Sequence, residues 1–104
     1  MSLENIIKGK SQRPPRILIH GGEGIGKSTF GASAPNPIFI QTEDGLDEID
    51  VAKFPLAHTY EEVIHNLDTL IREDHDYKTV AIDSADWLER IIHDKVCNAF
   101  GVAT

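Results

Sequence analysis

The sequence predicts an α/β protein in which a parallel β-sheet carries helices on both faces. Three observations support this fold class. Short apolar runs rich in β-branched residues alternate with segments whose apolar residues recur at helical spacing. The alternation continues along the chain, and parallel strands need crossover connections, which helices usually provide. A glycine-rich loop also joins the first apolar run to a helical segment.

The composition limits the functions open to this chain. It has 104 residues, which is one domain at most, and its 17 acidic and 10 basic residues give a net charge of −7. This balance argues against a general binder of polyanions, whose affinity depends on clustered lysine and arginine. The single cysteine, Cys97, excludes an internal disulfide and a cysteine-based zinc site.

No segment has the pattern of a membrane anchor or a secretion signal. No apolar run approaches the roughly 18 residues that indicate a transmembrane helix. Residues 1–10 lack the apolar centre of a signal peptide. We therefore expect a cytoplasmic protein without a membrane partner.

The first third of the chain contains a leader, a strand, a loop and a helix. Residues 1–15 are predicted to be a leader arm and residues 16–104 the folded domain, because two adjacent prolines at the boundary favour an extended chain. The β-branched run at residues 16–20 predicts a buried strand that stops at a glycine. Residues 21–26, with four glycines, form a loop, and a helix begins at Lys27.

Five further elements follow in the order strand, strand, helix, strand, helix. They cover residues 37–41, 51–57, a segment opening at Thr59, 77–82 and 86–100. The strand at residues 51–57 contains Pro55, which indicates a sheet edge. Thr59 and Glu62 have the spacing of a capping box, in which each side chain bonds the other residue's backbone N–H. Gly101 is the predicted stop of the last helix.

Residues 21–28 read Gly-Gly-Glu-Gly-Ile-Gly-Lys-Ser and match G-x-x-x-x-G-K-[ST], the phosphate-binding P-loop or Walker A pattern, at every fixed position. Glycines let the backbone curl so that several N–H groups point at one anion, and the following helix adds its positive dipole end. Lys27 would reach the β- and γ-phosphates, and the Ser28 hydroxyl would bind Mg²⁺. The alternative is a glycine-rich turn without a ligand. The candidate nucleotide-binding residues are Gly21, Gly22, Glu23, Gly24, Ile25, Gly26, Lys27, Ser28 and Thr29.

Two carboxylates follow predicted strands and are candidate site residues. Asp83 ends the apolar run 79–82, where it would hold Mg²⁺ beside Ser28; alternatively, it only caps the next helix. Glu43 follows the strand at residues 37–41, and ligands in open α/β sheets lie beyond the carboxyl ends of the strands. Glu43 would orient and deprotonate an attacking water, or it is a solvated loop acid or helix cap.

Four segments together resemble the RecA-like family of P-loop ATPases. They look closest to its phage branch, the AAA-type nucleotide-binding proteins linked to single-strand annealing and recombination. The segments are residues 13–16 (Arg-Pro-Pro-Arg), 21–29 with a glutamate at the third loop position, 38–46 ending Thr-Glu-Asp-Gly-Leu, and 76–84 ending Ile-Asp-Ser.

The resemblance implies ATP and Mg²⁺ as ligands, Glu43 and Lys27 as catalytic residues, and Ser28 and Asp83 as metal ligands. It also implies a bacterial host cytoplasm, a homo-oligomer, and single-stranded DNA as a partner that binds through regions absent from this chain. It covers roughly residues 10–100 but only the first half of the family's domain, which continues with a γ-phosphate sensor and DNA-contacting loops. We therefore expect the N-terminal part of a RecA-like domain, truncated after the second acidic strand (Walker B) and the helix that follows it.

Two other functions remain open on the sequence alone. The same loop serves GTPases and small-molecule kinases, although the Asn-Lys-x-Asp motif that reads guanine is absent from this chain. The chain is alternatively a non-catalytic binding or assembly fragment, in which the loop binds nucleotide and the parts needed for turnover lie elsewhere.

Overall fold

The computed structural model describes residues 3–10, 13–22 and 24–101 of the chain. From residue 27 onward its elements lie close to those predicted, except that the strand predicted at residues 51–57 covers only two residues. A short 3₁₀ helix, Leu3–Asn5, lies in the leader. The other elements, in chain order, are α1 (Lys27–Ala32), β1 (Pro37–Gln41), β2 (Ala52–Lys53), α2 (Tyr60–Arg72), β3 (Thr79–Asp83) and α3 (Ala85–Ala99).

The three strands form one parallel sheet in the order β2-β1-β3, which confirms the predicted α/β class. β1 is central and pairs with β3 along its whole length, so that Pro37 lies opposite Thr79 and Gln41 opposite Asp83. β2 has only two residues and lies at the edge, as Pro55 predicted. The register brings the carboxyl ends of β1 and β3 to the same edge of the sheet.

Helices cover both faces of the sheet because the side chains of β1 alternate between them. Ile40 packs with Val63 of α2, and Leu88 of α3 lies against the same cluster. Phe39 faces the other way, towards α1. A Cβ on Gly31 of α1 would lie 3.1 Å from the Phe39 ring, so a glycine at this position permits close packing of α1 on the sheet.

The helix boundaries agree with the predicted caps. The Thr59 side chain accepts a hydrogen bond from the Glu62 backbone N–H at 3.2 Å, as the capping box predicts. The Glu62 carboxylate in turn accepts from the His58 N–H at 2.7 Å, one residue before the expected partner. Gly101, which follows α3, has a φ of +67° in the left-handed region that favours glycine.

The predicted strand at residues 16–20 is wrong. These residues belong to no strand, and Ile17 and Leu18 are 72% and 78% exposed. Both edges of the central strand β1 are occupied by β2 and β3, and residues 16–20 do not pair with the outer edge of either flanking strand. A β-branched run forms a strand only where a neighbouring strand accepts its backbone hydrogen bonds, and in the described part of the chain residues 16–20 have no such partner.

Only part of the apolar surface of α3 is buried. Leu88 packs against the core, whereas Trp87 is 43%, Val96 48% and Phe100 78% exposed. The Arg90 guanidinium lies over the Trp87 ring at 4.6 Å from its centre, a cation–π contact on the outer surface. The helical periodicity of this segment was therefore a reliable sign of a helix but not of its burial.

An ion pair between Lys95 Nζ and Glu61 Oε1 joins α3 to α2. The hydrogen bond from Lys95 lowers the pKa of Glu61, and the same bond raises the pKa of Lys95. The stability contributed through Glu61 is present above the usual glutamate pKa and is lost as the pH falls through the lowered one. The contribution through Lys95 is present below the usual lysine pKa and is lost as the pH rises through the raised one.

We expect Glu61→Gln to lower the thermal unfolding midpoint slightly at neutral pH and to have no effect in acid below the lowered pKa of Glu61. Both side chains are largely exposed, so high salt should remove the difference as well. Thermal unfolding by circular dichroism at two pH values measures this. Glu89→Gln, the same charge change at an exposed position of α3, is the control. A destabilisation by Glu61→Gln that persists in acid would contradict the assignment to the ion pair.

Candidate functional site

The carboxyl ends of β1 and β3 are tied together by hydrogen bonds that run past the last paired residues. The Thr42 N–H donates to the Asp83 carbonyl at 2.8 Å, and the Glu43 N–H lies 3.4 Å from the same oxygen. Because Gln41 lies opposite Asp83, the residues that follow β1 lie beside those that follow β3. Glu43 and Asp83, predicted separately from two strand ends, therefore lie at one edge of the sheet.

The glycine-rich loop lies before α1 and has the backbone that glycine allows. Gly24 and Gly26 have φ values of +76° and +97°, which side-chain-bearing residues rarely adopt. Gly26 begins α1, and its carbonyl accepts from the Phe30 N–H at 2.9 Å. Glu23, one of the candidate nucleotide-binding residues, lies outside the described residues. Ile25 is 68% exposed.

Lys27 bends back across the loop that precedes it. Its ammonium donates to the Gly21 carbonyl at 2.6 Å and to the Gly22 carbonyl at 3.1 Å. An ammonium group has three N–H donors, so one remains for another acceptor. The arrangement fixes the position of the positive charge at the loop entrance. Thr29, the last candidate of this set, is exposed on the first turn of α1.

Ser28 and Asp83 are in direct contact although 55 residues separate them in sequence. The Ser28 Oγ donates to Asp83 Oδ2, and both side chains are partly buried. The helix-capping alternative for Asp83 is wrong, because the next residue, Ser84, is the N-cap of α3 and accepts from the Trp87 N–H at 3.5 Å. The Asp83 carboxylate is therefore directed towards the glycine-rich loop.

Glu43 is linked to the same edge through a residue that the sequence analysis did not single out. The Ser84 Oγ donates to Glu43 Oε2 at 3.1 Å, so the Glu43 carboxylate is bonded to the residue that directly follows Asp83. A serine after a strand and before a helix indicates only an N-cap. The second contact depends on the register of β1 and β3, which the sequence does not contain.

Thr42 is the buried link between the two strand ends. Its side chain, in a residue only 5% exposed, donates to the Ser84 carbonyl at 2.8 Å and accepts from the Ser84 N–H at 2.9 Å. The hydroxyl acts as both donor and acceptor, so the N–H and the carbonyl of Ser84 are both bonded to the residue that directly follows β1. Sequence reasoning missed this residue because threonine is common in strands.

We expect Thr42→Val to destabilise the fold by about 1–3 kcal/mol, because it leaves the Ser84 N–H without its acceptor at nearly constant side-chain volume. Thr42→Ser keeps the hydroxyl and should lose much less. Urea unfolding followed by circular dichroism measures both. Equal stability of the valine variant and the wild type would mean that the hydroxyl contributes nothing.

The donor set at this edge suits a hard cation. A serine hydroxyl and a carboxylate oxygen already lie within hydrogen-bond distance of each other, and Mg²⁺ prefers oxygen ligands. Mg²⁺ commonly takes only one or two protein carboxylates and completes its shell with water and substrate phosphates. No group of three or more His, Cys, Asp or Glu side chains among the described residues is placed to hold a metal by itself.

A surface cleft lies away from this edge. A cleft of about 490 Å³ between the start of α2 and the second half of α3 is lined by residues that include Tyr60, Ile91 and Lys95. None of the predicted site residues lines it. Among the described residues no helix has the length and apolar character needed to cross a membrane.

Comparison with known proteins gives one family. A family model described as an AAA domain matches residues 13–104, which is nearly the whole chain. No curated protein and no solved structure matches the chain. The match includes the glycine-rich loop, both strand-end carboxylates and all three helices. The chain therefore belongs to this AAA domain family, with nucleotide binding as the general activity that membership implies.

Proposed function

We propose that this chain binds Mg-ATP through residues 21–29 and that its complete domain hydrolyses the nucleotide. The observation that carries the proposal is the contact between Ser28 and Asp83. It joins the P-loop to the end of β3, at the edge where Glu43 also lies. If residues 21–26 were a glycine-rich turn without a ligand, the contact between the Ser28 hydroxyl and the Asp83 carboxylate would have no functional explanation.

Each residue has a chemical role in this proposal. Lys27 donates hydrogen bonds to the β- and γ-phosphates, and backbone N–H groups of the loop donate to the other phosphate oxygens. Ser28 and Asp83 would hold Mg²⁺, which supplies neutralisation of the charge that develops on the phosphate oxygens. Glu43 accepts a proton from water as the water oxygen bonds to the γ-phosphorus and the bond to ADP breaks.

The biological setting follows from the resemblance to RecA-like phage proteins. We propose a cytoplasmic role in DNA recombination or single-strand annealing, in which the nucleotide state controls DNA contact or assembly into a homo-oligomer. The net charge of −7 requires any DNA contact to be local. Exposed basic residues in the leader and at the first residue after it supply such a local cluster, and they are Lys8, Lys10, Arg13 and Arg16.

Calorimetric titration with Mg-ATP and Mg-GTP tests the proposal. We expect saturable ATP binding at one site per chain and much weaker binding of GTP, because the chain has no guanine-reading motif. Equal affinity for both nucleotides would favour a GTPase or kinase, or a site that reads only phosphates. Absence of binding by a chain that circular dichroism finds folded would overturn the proposal.

A second candidate function is nucleotide binding without turnover. It is favoured by the position of Lys27, whose ammonium is bonded to the Gly21 and Gly22 carbonyls and has one N–H donor left for a nucleotide. Release of phosphate from ATP, measured alongside binding, separates the two functions. Tight binding with phosphate release at the background rate would identify a binding or assembly module.

A further inference from the structure

We propose that Ser84 is a positioning residue that holds the Glu43 carboxylate at the carboxyl edge of the sheet, beside Asp83. The inference rests on the proposed function, in which Glu43 takes the proton from water. It gives a role to a residue for which the sequence analysis proposed none, and it follows from the hydrogen bond between Ser84 Oγ and Glu43 Oε2 at 3.1 Å.

The Ser84 hydroxyl has two functions that can be separated. Its lone pair faces the Trp87 N–H at 3.5 Å, which caps α3, and its hydrogen is donated to Glu43. A hydroxyl has one donor and two acceptor sites, so both contacts can exist together. The contact with the carboxylate, at 3.1 Å, is charge-assisted and shorter than the cap contact at 3.5 Å, although it is slightly longer than the usual O–H···O distance of about 2.5–3.0 Å.

The backbone of Ser84 is fixed from three directions. The Thr42 hydroxyl bonds both its N–H and its carbonyl, and the carbonyl also accepts from the Leu88 N–H of α3 at 3.1 Å. The Ser84 side chain is therefore attached to a part of the backbone that both β1 and α3 hold in place.

Glu43 itself has much less restraint. Its backbone is tied to the Asp83 carbonyl at 3.4 Å, but its side chain has three rotatable bonds and is only partly buried. Without the hydrogen bond from Ser84 it would sample several rotamers. A base that must meet one water in one orientation loses rate when it is displaced by about 1 Å, by up to about 100-fold. Ser84 restricts this freedom through one oxygen of the carboxylate, without contacting the water or the nucleotide.

Three substitutions separate the cap from the hydrogen bond to Glu43. Ser84→Thr keeps the cap and the donor. Ser84→Gly removes the donor without adding charge, and glycine at an N-cap costs the helix only a few tenths of a kcal/mol. Ser84→Asp keeps a strong cap but replaces the donor with a second negative charge beside Glu43.

We expect Ser84→Gly to lower kcat for ATP about 10- to 100-fold with KM changed less than about twofold. Ser84→Asp should lose at least as much turnover although α3 stays capped, and Ser84→Thr should retain most of it. A structural role alone predicts the opposite order, with Ser84→Asp close to the wild type. That order, or a kcat of Ser84→Gly equal to the wild type, would overturn the inference.

Glu43→Gln in the same assay separates this inference from the proposed function. If Glu43→Gln retains wild-type turnover, Glu43 is not the base and both fail. If Glu43→Gln is inactive while Ser84→Gly is fully active, only the positioning role fails. If the wild-type chain itself releases no phosphate, the carboxyl ¹³C signal of Glu43 decides. A signal that moves in Ser84→Gly and returns in Ser84→Thr supports the inference, and one that stays constant overturns it.

Discussion

Lys27→Ala is expected to weaken Mg-ATP binding by at least about 10- to 100-fold. Charge-assisted hydrogen bonds contribute about 1.5–3 kcal/mol each, and about 1.4 kcal/mol corresponds to a tenfold change in affinity. Lys27 also bonds the Gly21 and Gly22 carbonyls, so the substitution removes the positive charge and also removes two hydrogen bonds that hold the loop. Both effects reduce binding, and calorimetric titration measures their sum.

Lys78→Ala is the matched control for this experiment. Lys78 is exposed and immediately precedes β3, at the amino end of the strand and therefore at the sheet edge opposite the site. Its removal changes the net charge by the same amount, so a loss of affinity caused by general electrostatics would appear in both variants. Equal binding by Lys27→Ala and the wild type would exclude residues 21–29 as the phosphate site.

Glu43→Gln is expected to leave ATP affinity within about twofold and to lower the rate of phosphate release about 10²- to 10⁴-fold, the usual contribution of a general base. The amide has the shape of the carboxylate, and its oxygen still accepts from Ser84. It cannot take a proton from water at neutral pH. Single-turnover phosphate release and equilibrium binding, measured on the same preparation, separate the two effects.

Asp44→Asn controls for the loss of one negative charge in the same loop. Asp44 is the adjacent residue and is exposed, whereas Glu43 is partly buried and bonded to Ser84. We expect Asp44→Asn to turn over ATP at close to the wild-type rate. Equal losses in both variants would mean that the loop charge matters and that Glu43 has no particular role as a base.

The elements that the sequence predicted well are those whose signals are local. Thr59 and Glu62 mark the start of α2 through contacts within one turn: Thr59 accepts from the Glu62 N–H as predicted, and Glu62 accepts from the N–H of His58, one residue before the predicted partner. Gly101 follows α3 with the positive φ that its type allows. The central strand β1 was predicted because a buried strand reads as a continuous apolar run.

The failures concern partners that lie far along the chain. The run at residues 16–20 has the composition of a strand, but composition does not identify the strand with which it would pair. The exposure of apolar residues on α3 has the same cause. Helical spacing shows that a helix has an apolar face, but it does not show which part of the protein covers that face. Both signals describe what a segment is able to bury, and tertiary contacts decide whether it does.

The site divides in the same way. The motif at residues 21–28 and the strand-end carboxylates Asp83 and Glu43 were found from the sequence, because each combines a residue type with a nearby strand or helix. Thr42 and Ser84 were not found. Their functions as link and donor exist only because β1 and β3 are neighbours in one register.

A double-mutant cycle on Ser28 and Asp83, read by calorimetric ATP titration with Mg²⁺ and with a chelator, tests the central claim most directly. The claim is that these two residues hold the metal of Mg-ATP together. It predicts that Ser28→Ala and Asp83→Asn each weaken binding in Mg²⁺, that the double variant loses much less than the sum, and that all four chains bind alike without the metal. Additive losses, or losses of the same size in the chelator, would contradict it.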